Sequence, residues 1–408
     1  MSQKIEELHS KYSNQMKMCG NNNIVIITSP LSMVAQNFLS NLIRIFQALS
    51  GEIYVITGGD FSKKNIFNDK VYIKKVMHRG GRGTVDRIIS YISTQLKISF
   101  LLVKKRDADI YVFFLAQSLI LPILTLKIMR KKVILAVGAS TSKLHENVKD
   151  YLLLPLKIIE KISYRLSDNI ALSSENLISE WNLEKYRNKI YIAHEHFIDF
   201  DKFKIKKKFN ERDKLVGYVG RLSEEKGILN FVKAIPEILK ERDGAKFLLV
   251  GDGQLRGKVE KYLNDMDLTD NVKLMGWIPH DELSEYLNEL KLMIIPSYTE
   301  SGPQVLLEAM ACGTPVLATL VGIIPDIIKD GETGFIMENN SPQCIAENTI
   351  RALEYPNLGR IVKNAKKVIE DEFTYKAAIE RYKKILEDIL VKEQLVDVNK
   401  WGEYDKIR

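Results

Sequence analysis

The sequence predicts an α/β protein built from two doubly wound parallel sheets, and three observations carry that prediction. The chain has 408 residues, more than one hydrophobic core usually supports. Short apolar runs of strand length alternate with longer stretches of helical period. That alternation runs through twice, with the polar segment DFDKFKIKKKFNERDK (199–214) between the two passes.

In the first pass, strands are expected at NIVIITS, EIYVITGG, VYIKKV, DIYVFFL, VILAVG and NIALS, with helices such as AQNFLSNLIRIFQAL and YLLLPLKIIEKISYRL between them. The second pass reads KLVGYVG, ILNFVKAIPEILKER, KFLLVGDG, LRGKVEKYLNDM, VKLMG, DELSEYLNEL, LMIIPS, PQVLLEAMACG, PVLAT, PDIIKDG and TGFIM. Strands joined through helices in this way run parallel, by right-handed crossovers. Segment 199–214 is read as the linker, giving domains at 1–200 and 201–385 and a tail at 386–408 that returns to the first domain. Open α/β sheets bind ligands beyond the carboxyl ends of their strands, so the site is expected in a cleft between the two domains.

Composition narrows the function classes. The chain is 45% hydrophobic and 27% charged, an ordinary globular balance. Cys19, Cys312 and Cys344 are too widely spaced for a metal knuckle and odd in number, which suits a reducing cytosol. The polar start MSQKIEELHSKYSNQMK lacks the apolar core of a signal peptide, so a cytoplasmic location is expected. Residues 111–129 (YVFFLAQSLILPILTLKIM) have the length of a membrane span, but Gln117, Ser118, Pro122 and Lys127 interrupt them. They parse instead as a buried strand, a helix and the lead-in to a second strand. Residues 1–200 hold 28 Lys+Arg against 17 Asp+Glu, a net +11, and the remainder 32 against 35, a net −3. The basic first half suits an anionic membrane surface, a phosphorylated acceptor or nucleic acid; a solvated surface reads equally well.

Chemistry concentrates in the second half. GYVGRLSEEKGILNF leaves a strand and opens a helix, placing Arg221 and Lys226 in a loop with Gly220 and Gly227. Two cations beside a helix N-terminus suit a diphosphate. GDG (251–253), ending in Gly253, repeats the design after KFLLV. In PSYTESGPQVLLEAMACGTPVLAT (296–319) two glutamates, Glu300 and Glu308, would stand about 80° apart around and about 12 Å apart along one continuous helix. However, Pro303 fits a first helical turn, Gly313 a C-cap, and Pro315 blocks continuation. Glu300 therefore falls in the loop and Glu308 inside the helix, so both carboxylates can face one ligand across the helix N-terminus. Phosphate suits that N-terminus, and carboxylates suit sugar hydroxyls. The ligand this describes is a sugar joined to a nucleoside through a diphosphate.

The run PSYTESGPQVLLEAMACGTPV, with GRLSEEKG some eighty residues earlier, resembles the retaining glycosyltransferases of family 4, which have the GT-B fold of two Rossmann-like domains. The resemblance is strong over about 214–375 and mainly topological over 20–200. It implies a donor-binding C-terminal domain and an acceptor-binding N-terminal domain. Arg221 and Lys226 would hold the donor diphosphate and stabilise its departure, with Glu300 against the transferred sugar as the third catalytic residue and Glu308 on the ribose. Gly220, Gly253, Ser301, Gly302, Pro303, Gln304 and Val305 would contact sugar and phosphate, while Met275, Trp277 and Ile278 would line the base pocket. Ser29, Gly138 and His145 are the acceptor-side candidates. The implied reaction moves a hexose-type sugar from a nucleotide diphosphate sugar, UDP first and GDP next, to a glycan or lipid-linked acceptor by front-face substitution. It uses neither cofactor nor metal, and the protein would sit peripherally on the inner face of the cell membrane.

The chain departs from the family pattern in places. VGIIPDII (321–328) has one glycine where relatives have Gly-Gly-x-Pro-Glu, and SPLSMVAQ (29–36) replaces a Gly-rich loop. Gly138 stands where relatives often have histidine, and AHEHF (193–197) replaces an interdomain Asn-Gly. Three motifs have plainer readings than their chemistry. Asp107-Ala-Asp109 precedes its strand, against a metal-binding DxD. His194-Glu195-His196 reads as a hinge contact before a metal pair, and Gly80-Gly81-Arg82-Gly83 as a turn or an anion contact. A dinucleotide oxidoreductase would need G-x-G-x-x-G after the first strand, which is absent. A nucleic-acid platform of interleaved aromatic and basic residues is not evident either. A GT-B epimerase or phosphorylase, and a sugar-nucleotide binder without transferase activity, remain as alternatives.

Overall fold

The computed structural model describes residues 22–29, 33–59, 61, 67–77, 83–138, 153–300, 302 and 304–404. His145, Ser301, Pro303, the turn 80–82 and residues 30–32 of SPLSMVAQ lie outside the described residues. The chain divides into two compact units. The first comprises Met1–Ser173, Trp181–Glu195 and Lys376–Arg408, and the second Ser174–Glu180 and His196–Tyr375.

In the first unit, strands β1 (Ile24–Thr28), β2 (Ile53–Thr57), β3 (Val71–Lys75), β4 (Ile110–Phe114), β5 (Lys132–Val137), β6 (Asn169–Leu172) and β7 (Ile190–Ile192) form a parallel sheet of order 3-2-1-4-5-6-7. β1 and β4 are buried at every position, as strands covered on both faces must be. The helices are α1 (Met33–Gln47), α2 (Thr84–Lys104), α3 (Ile120–Ile128) and α4 (Leu153–Leu166). Segment 111–129 resolves into β4 and α3 ahead of β5, and no described helix is long and apolar enough to cross a membrane. The three-residue edge strand β7 lies outside the expected strands, because it is too short to show a periodicity.

The second unit begins its sheet with β8 (Leu215–Val219), followed by β9 (Lys246–Val250), β10 (Val272–Gly276), β11 (Leu292–Ile295), β12 (Val316–Thr319) and β13 (Phe335–Met337), in order 10-9-8-11-12-13. Side chains of β9 alternate between two cores, Phe247 and Leu249 into one, Leu248 and Val250 into the other. A short helix α5 (Asn176–Glu180) belongs to this unit although it precedes β7 in the chain. Helices α6 (Ile228–Glu241), α7 (Arg256–Asp265), α8 (Leu283–Glu289), α9 (Gln304–Ala311), α10 (Ile324–Ile327), α11 (Pro342–Glu354) and α12 (Leu358–Glu372) complete it.

Segment 199–214 is not a free tether. Buried Arg212 donates to Cys312 O (2.6 Å), Thr314 Oγ1 (2.8 Å) and Leu290 O (3.1 Å), and Lys206 N donates to Asn288 Oδ1 at 2.7 Å. The lysines that made it look like a linker pair with α8: Lys206 with Glu285 at 2.5 Å and Lys207 with Glu289 at 2.6 Å. Composition signals exposure of side chains, and here the backbone beneath them is fastened. The terminal helix α13 (Tyr375–Tyr404) starts earlier than the expected tail, and from Lys376 it clusters with the first unit. Its Tyr382 ring meets Phe46 edge-on at 5.3 Å, and Asp388 accepts a hydrogen bond from Tyr191.

Candidate functional site

The second unit's sheet reverses its strand order between β8 and β11, and the loops leaving their carboxyl ends are bonded to their neighbours through the backbone. Leu222 N donates to Asp252 O (3.0 Å), Gly251 N to Gly276 O (2.8 Å), and Tyr298 N to Glu225 O (2.9 Å). Glycine is required where these chains touch. Gly227 has φ +66°, and a Cβ there would stand 1.9 Å from Pro296 O; at Gly253 it would stand 2.5 Å from Leu222 O. Contact between loops thus accounts for both glycines.

Within this frame the structure joins two of the three expected catalytic residues. Lys226 Nζ lies 2.6 Å from Glu300 Oε1, and Ser297 Oγ donates to the same oxygen at 2.7 Å. The Glu300 side chain is 5% exposed, so its charge has little water and depends on these donors. Arg221 is 61% exposed, with only a long contact of 3.4 Å to Glu225, and is available to an anion. Tyr218 ties the loop down by donating to Arg221 O at 2.6 Å. Burial, then the neighbouring Glu300 carboxylate, pushes its ionisation well above the usual phenol range, so it stays a donor.

Glu308, one and a half turns into α9, is 2% exposed and its Oε1 lies 2.7 Å from His280 Nε2. The His280 ring lies tilted against Phe203 with ring centroids 5.3 Å apart, and Lys202 Nζ approaches its other nitrogen at 3.0 Å. The two glutamates therefore occupy separate pairings, Glu300 with a lysine and Glu308 with a histidine. No sequence feature marked His280; only its reach from the loop after β10 reveals it.

The helix boundary between the glutamates behaves as expected. α9 ends in a Schellman motif, with Thr314 N donating to Ala309 O (2.9 Å), Gly313 N to Met310 O (3.0 Å), and Gly313 at φ +71°. Gln304 opens the helix, and its Oε1 is buried without a hydrogen-bond partner among the described residues. Such an acceptor suits a ligand hydroxyl. Gly302 packs under His196, whose Nε2 would stand 2.2 Å from a Cβ. Val305, Met275 and Ile278 are partly buried against the core, and Gly220 N donates to Val250 O at 3.0 Å. Trp277 is 73% exposed.

The loop after β12 has its one glycine for a stringent reason. Gly322 has φ +59°, and a Cβ there would stand 1.4 Å from Glu300 O. Segment 174–180 grips this loop: Asn176 Nδ2 donates to Gly322 O (3.1 Å), Glu180 Oε2 accepts from Gly322 N (3.2 Å), and Glu175 N donates to Asp326 Oδ2 (3.0 Å).

In the first unit, two of the acceptor-side candidates meet at one residue. Ser29 Oγ donates to Leu115 O at 3.1 Å, and a Cβ on Gly138 would stand 2.8 Å from Leu115 Cδ2. Leu115 itself has φ +49°, an unusual conformation for a non-glycine residue, beyond the carboxyl end of β4. Asp109 is structural, its Oδ2 accepting from Asn23 N at 2.8 Å. No group of three or more His, Cys, Asp or Glu that could hold a metal occurs among the described residues, and His194 Nδ1 lies 3.4 Å from Arg381 Nη2.

Residues 199–388 match the family model described as glycosyl transferases group 1. The N-acetyl-alpha-D-glucosaminyl L-malate synthase of Bacillus anthracis is 31% identical over 233 residues, 55% of this chain and 60% of that protein. The capsular polysaccharide biosynthesis glycosyltransferase CapM of Staphylococcus aureus is 29% identical over 246 residues, 56% of this chain and 64% of the other. The match thus spans about three-fifths of the length of these two relatives. Among solved structures, HepE of Anabaena in complex with UDP superposes with a TM-score of 0.71 at 16% identity, over 90% of this chain and all of the other. Sucrose-phosphate synthase of Thermosynechococcus elongatus gives 0.70 at 17%, over 91% of this chain and all of that one. The fold is GT-B.

Proposed function

We propose that this chain, whose residues 199–388 belong to the glycosyl transferases group 1 family, is a retaining glycosyltransferase. It moves a hexose-type sugar from a nucleotide diphosphate sugar to a glycan or lipid-linked acceptor, without a metal, in glycan biosynthesis. The observation that carries the reading is the Lys226–Glu300 pair, set beside exposed Arg221 at the strand-order reversal of the second sheet. An arriving diphosphate competes with Glu300 for Lys226 and takes Arg221 as its second cation. Its sugar then lies against the Glu300 carboxylate.

In the reaction, the bond from the anomeric carbon to the diphosphate oxygen breaks, and the acceptor oxygen bonds the same carbon on the same face. The acceptor's proton passes to the departing diphosphate. Arg221 and Lys226 offset the charge developing on that leaving group, which is where preorganised cations accelerate transfer most. Glu308, paired with His280 through one oxygen, receives the ribose hydroxyls, and Trp277 offers a flat apolar face to the base. HepE was solved with UDP, which makes UDP the first base to test and GDP the next.

The test is transfer or donor hydrolysis with UDP- and GDP-sugars, alongside thermal shifts with UDP, GDP and ADP. Sugar release with one of them supports a transferase. A shift with a nucleotide but no turnover with any donor or acceptor overturns it in favour of a binder. The basic first half, net +11, further suits an acceptor held at an anionic membrane.

A further inference from the structure

Helix α2 carries an apolar face that the described residues leave largely exposed. Val85, Ile88, Ile89, Ile92, Leu96 and Phe100, continued by Val103, are 44–68% exposed. At about 100° per residue these seven fall within about 120° of arc, on a different side of the helix from buried Gln95, Ile98 and Leu102. A helix that only covers a sheet needs one apolar stripe, and α2 has a second.

The neighbouring helices continue it. α3 packs against both α2 and α4. Right-handed crossovers from β3 to β4, β4 to β5 and β5 to β6 set all three on one face of the sheet. On α3, Leu124 and Ile128 are exposed; on α4, so are Leu154, Ile158 and Ile162 at four-residue spacing. Exposed Lys161 and Arg165 lie within the same arc of α4 as its apolar residues. Isolated exposed apolar residues are ordinary, whereas stripes on three adjacent helices mark a surface that meets something apolar.

We propose that the α2–α4 face of the first unit docks in the interface of an anionic bilayer. Charge selects that occupant. Between 84 and 106 the chain has five cations, Arg87, Lys97, Lys104, Lys105 and Arg106, against Asp86 alone, and the one acid of α4, Glu160, is buried. Lys104 Nζ stands 4.5 Å from the Phe100 ring centroid, so cation and apolar ring present together. An amphipathic face with basic borders lies at the level of lipid headgroups, its side chains in the acyl boundary and its lysines on phosphate. A second copy of this chain would set these cations against themselves. The inference rests on the membrane-proximal part of the proposed function and is independent of the transfer chemistry.

Flotation of the full chain with phosphatidylcholine vesicles, with and without phosphatidylglycerol, tests it. The wild type is expected to float with the anionic vesicles, less so as salt rises. The variant Ile89→Ser/Leu96→Ser/Phe100→Ser is expected to lower partitioning at least about tenfold while leaving melting temperature and nucleotide binding unchanged. Lys97→Glu/Lys104→Glu, which leaves the apolar residues in place, is expected to weaken it in the same direction. Failure of the wild type to float overturns both this inference and the membrane-proximal reading. Flotation unchanged in both variants leaves that reading standing but overturns the assignment of this face. A wild-type dimer that the triple substitution dissociates, without flotation, assigns the face to a second copy instead.

Discussion

The two sheets share a topology and differ in what their carboxyl ends carry. In the second unit the loops after β8, β9, β10 and β11 are bonded through their backbones and carry Arg221, Lys226, His280 and Glu300, with Lys226 paired to Glu300 and His280 to Glu308 of α9. In the first unit the described counterpart is a meeting of Ser29, Gly138 and the strained Leu115, without an ion pair. Charge lies on the first unit's outer helices instead, beside exposed apolar stripes. One sheet thus concentrates its chemistry in loops where pairs of side chains can discriminate a small charged ligand. The other spreads weak apolar and cationic contacts over helices, which suits a broad partner.

The sharpest way to break this contrast is to remove a loop cation. Arg221→Ala or Lys226→Ala is expected to reduce turnover by about 10²–10³ with folding intact, because each removes one stabiliser of leaving-group charge. Steady-state kinetics within threefold of wild type for both would contradict the site. Next, Glu308→Gln is expected to raise the nucleotide dissociation constant by about tenfold, from one weakened hydroxyl contact. Glu300→Gln should instead slow transfer with binding retained. Calorimetry paired with kinetics separates the two, and the reverse pattern would refute the division of roles.

The units should also differ in how they lose stability. Burial pushes Glu195, in the first unit, from 4.5 up to about 7, with Arg381 opposing. The folded state then holds a proton the unfolded chain has lost. Its contribution is present below pH 4.5 and falls away as pH rises through 7, by about 3 kcal/mol in all. Glu195→Gln should flatten that slope in first-unit unfolding followed by hydrogen exchange. In the second unit, Arg212→Ala strands Cys312 O and Leu290 O and should cost about 2 kcal/mol. Denaturant titration of that unit checks it, with the first unit's exchange unchanged.

Much of this was legible in the sequence because it is written locally. Strand and helix periods, the glycine and proline bounding α9, and the paired motifs around Arg221 and Glu300 each fit within a few turns of chain. Long-range pairings were not legible. Lys226 and Glu300 are 74 residues apart, and nothing in either motif says that one oxygen receives both Lys226 and Ser297. His280 at Glu308 and segment 174–180 at Gly322 carry no motif at all. Segment 199–214 belongs to the second unit although it reads as a linker, because its polarity reports on exposed side chains while Lys206 N and the buried Arg212 are hydrogen-bonded within that unit.

The sequence by itself determined two β-α rhythms, the parallel sheets they require, and the residue types of the candidate donor site, since these follow from periods of two and 3.6 residues and from local turn chemistry. Only the tertiary structure decided which carboxylate meets which cation, which glycines are demanded by passing backbone, and which of α2's two apolar stripes is covered. Periodicity gives a helix its faces, but what lies against each face depends on segments distant in the chain.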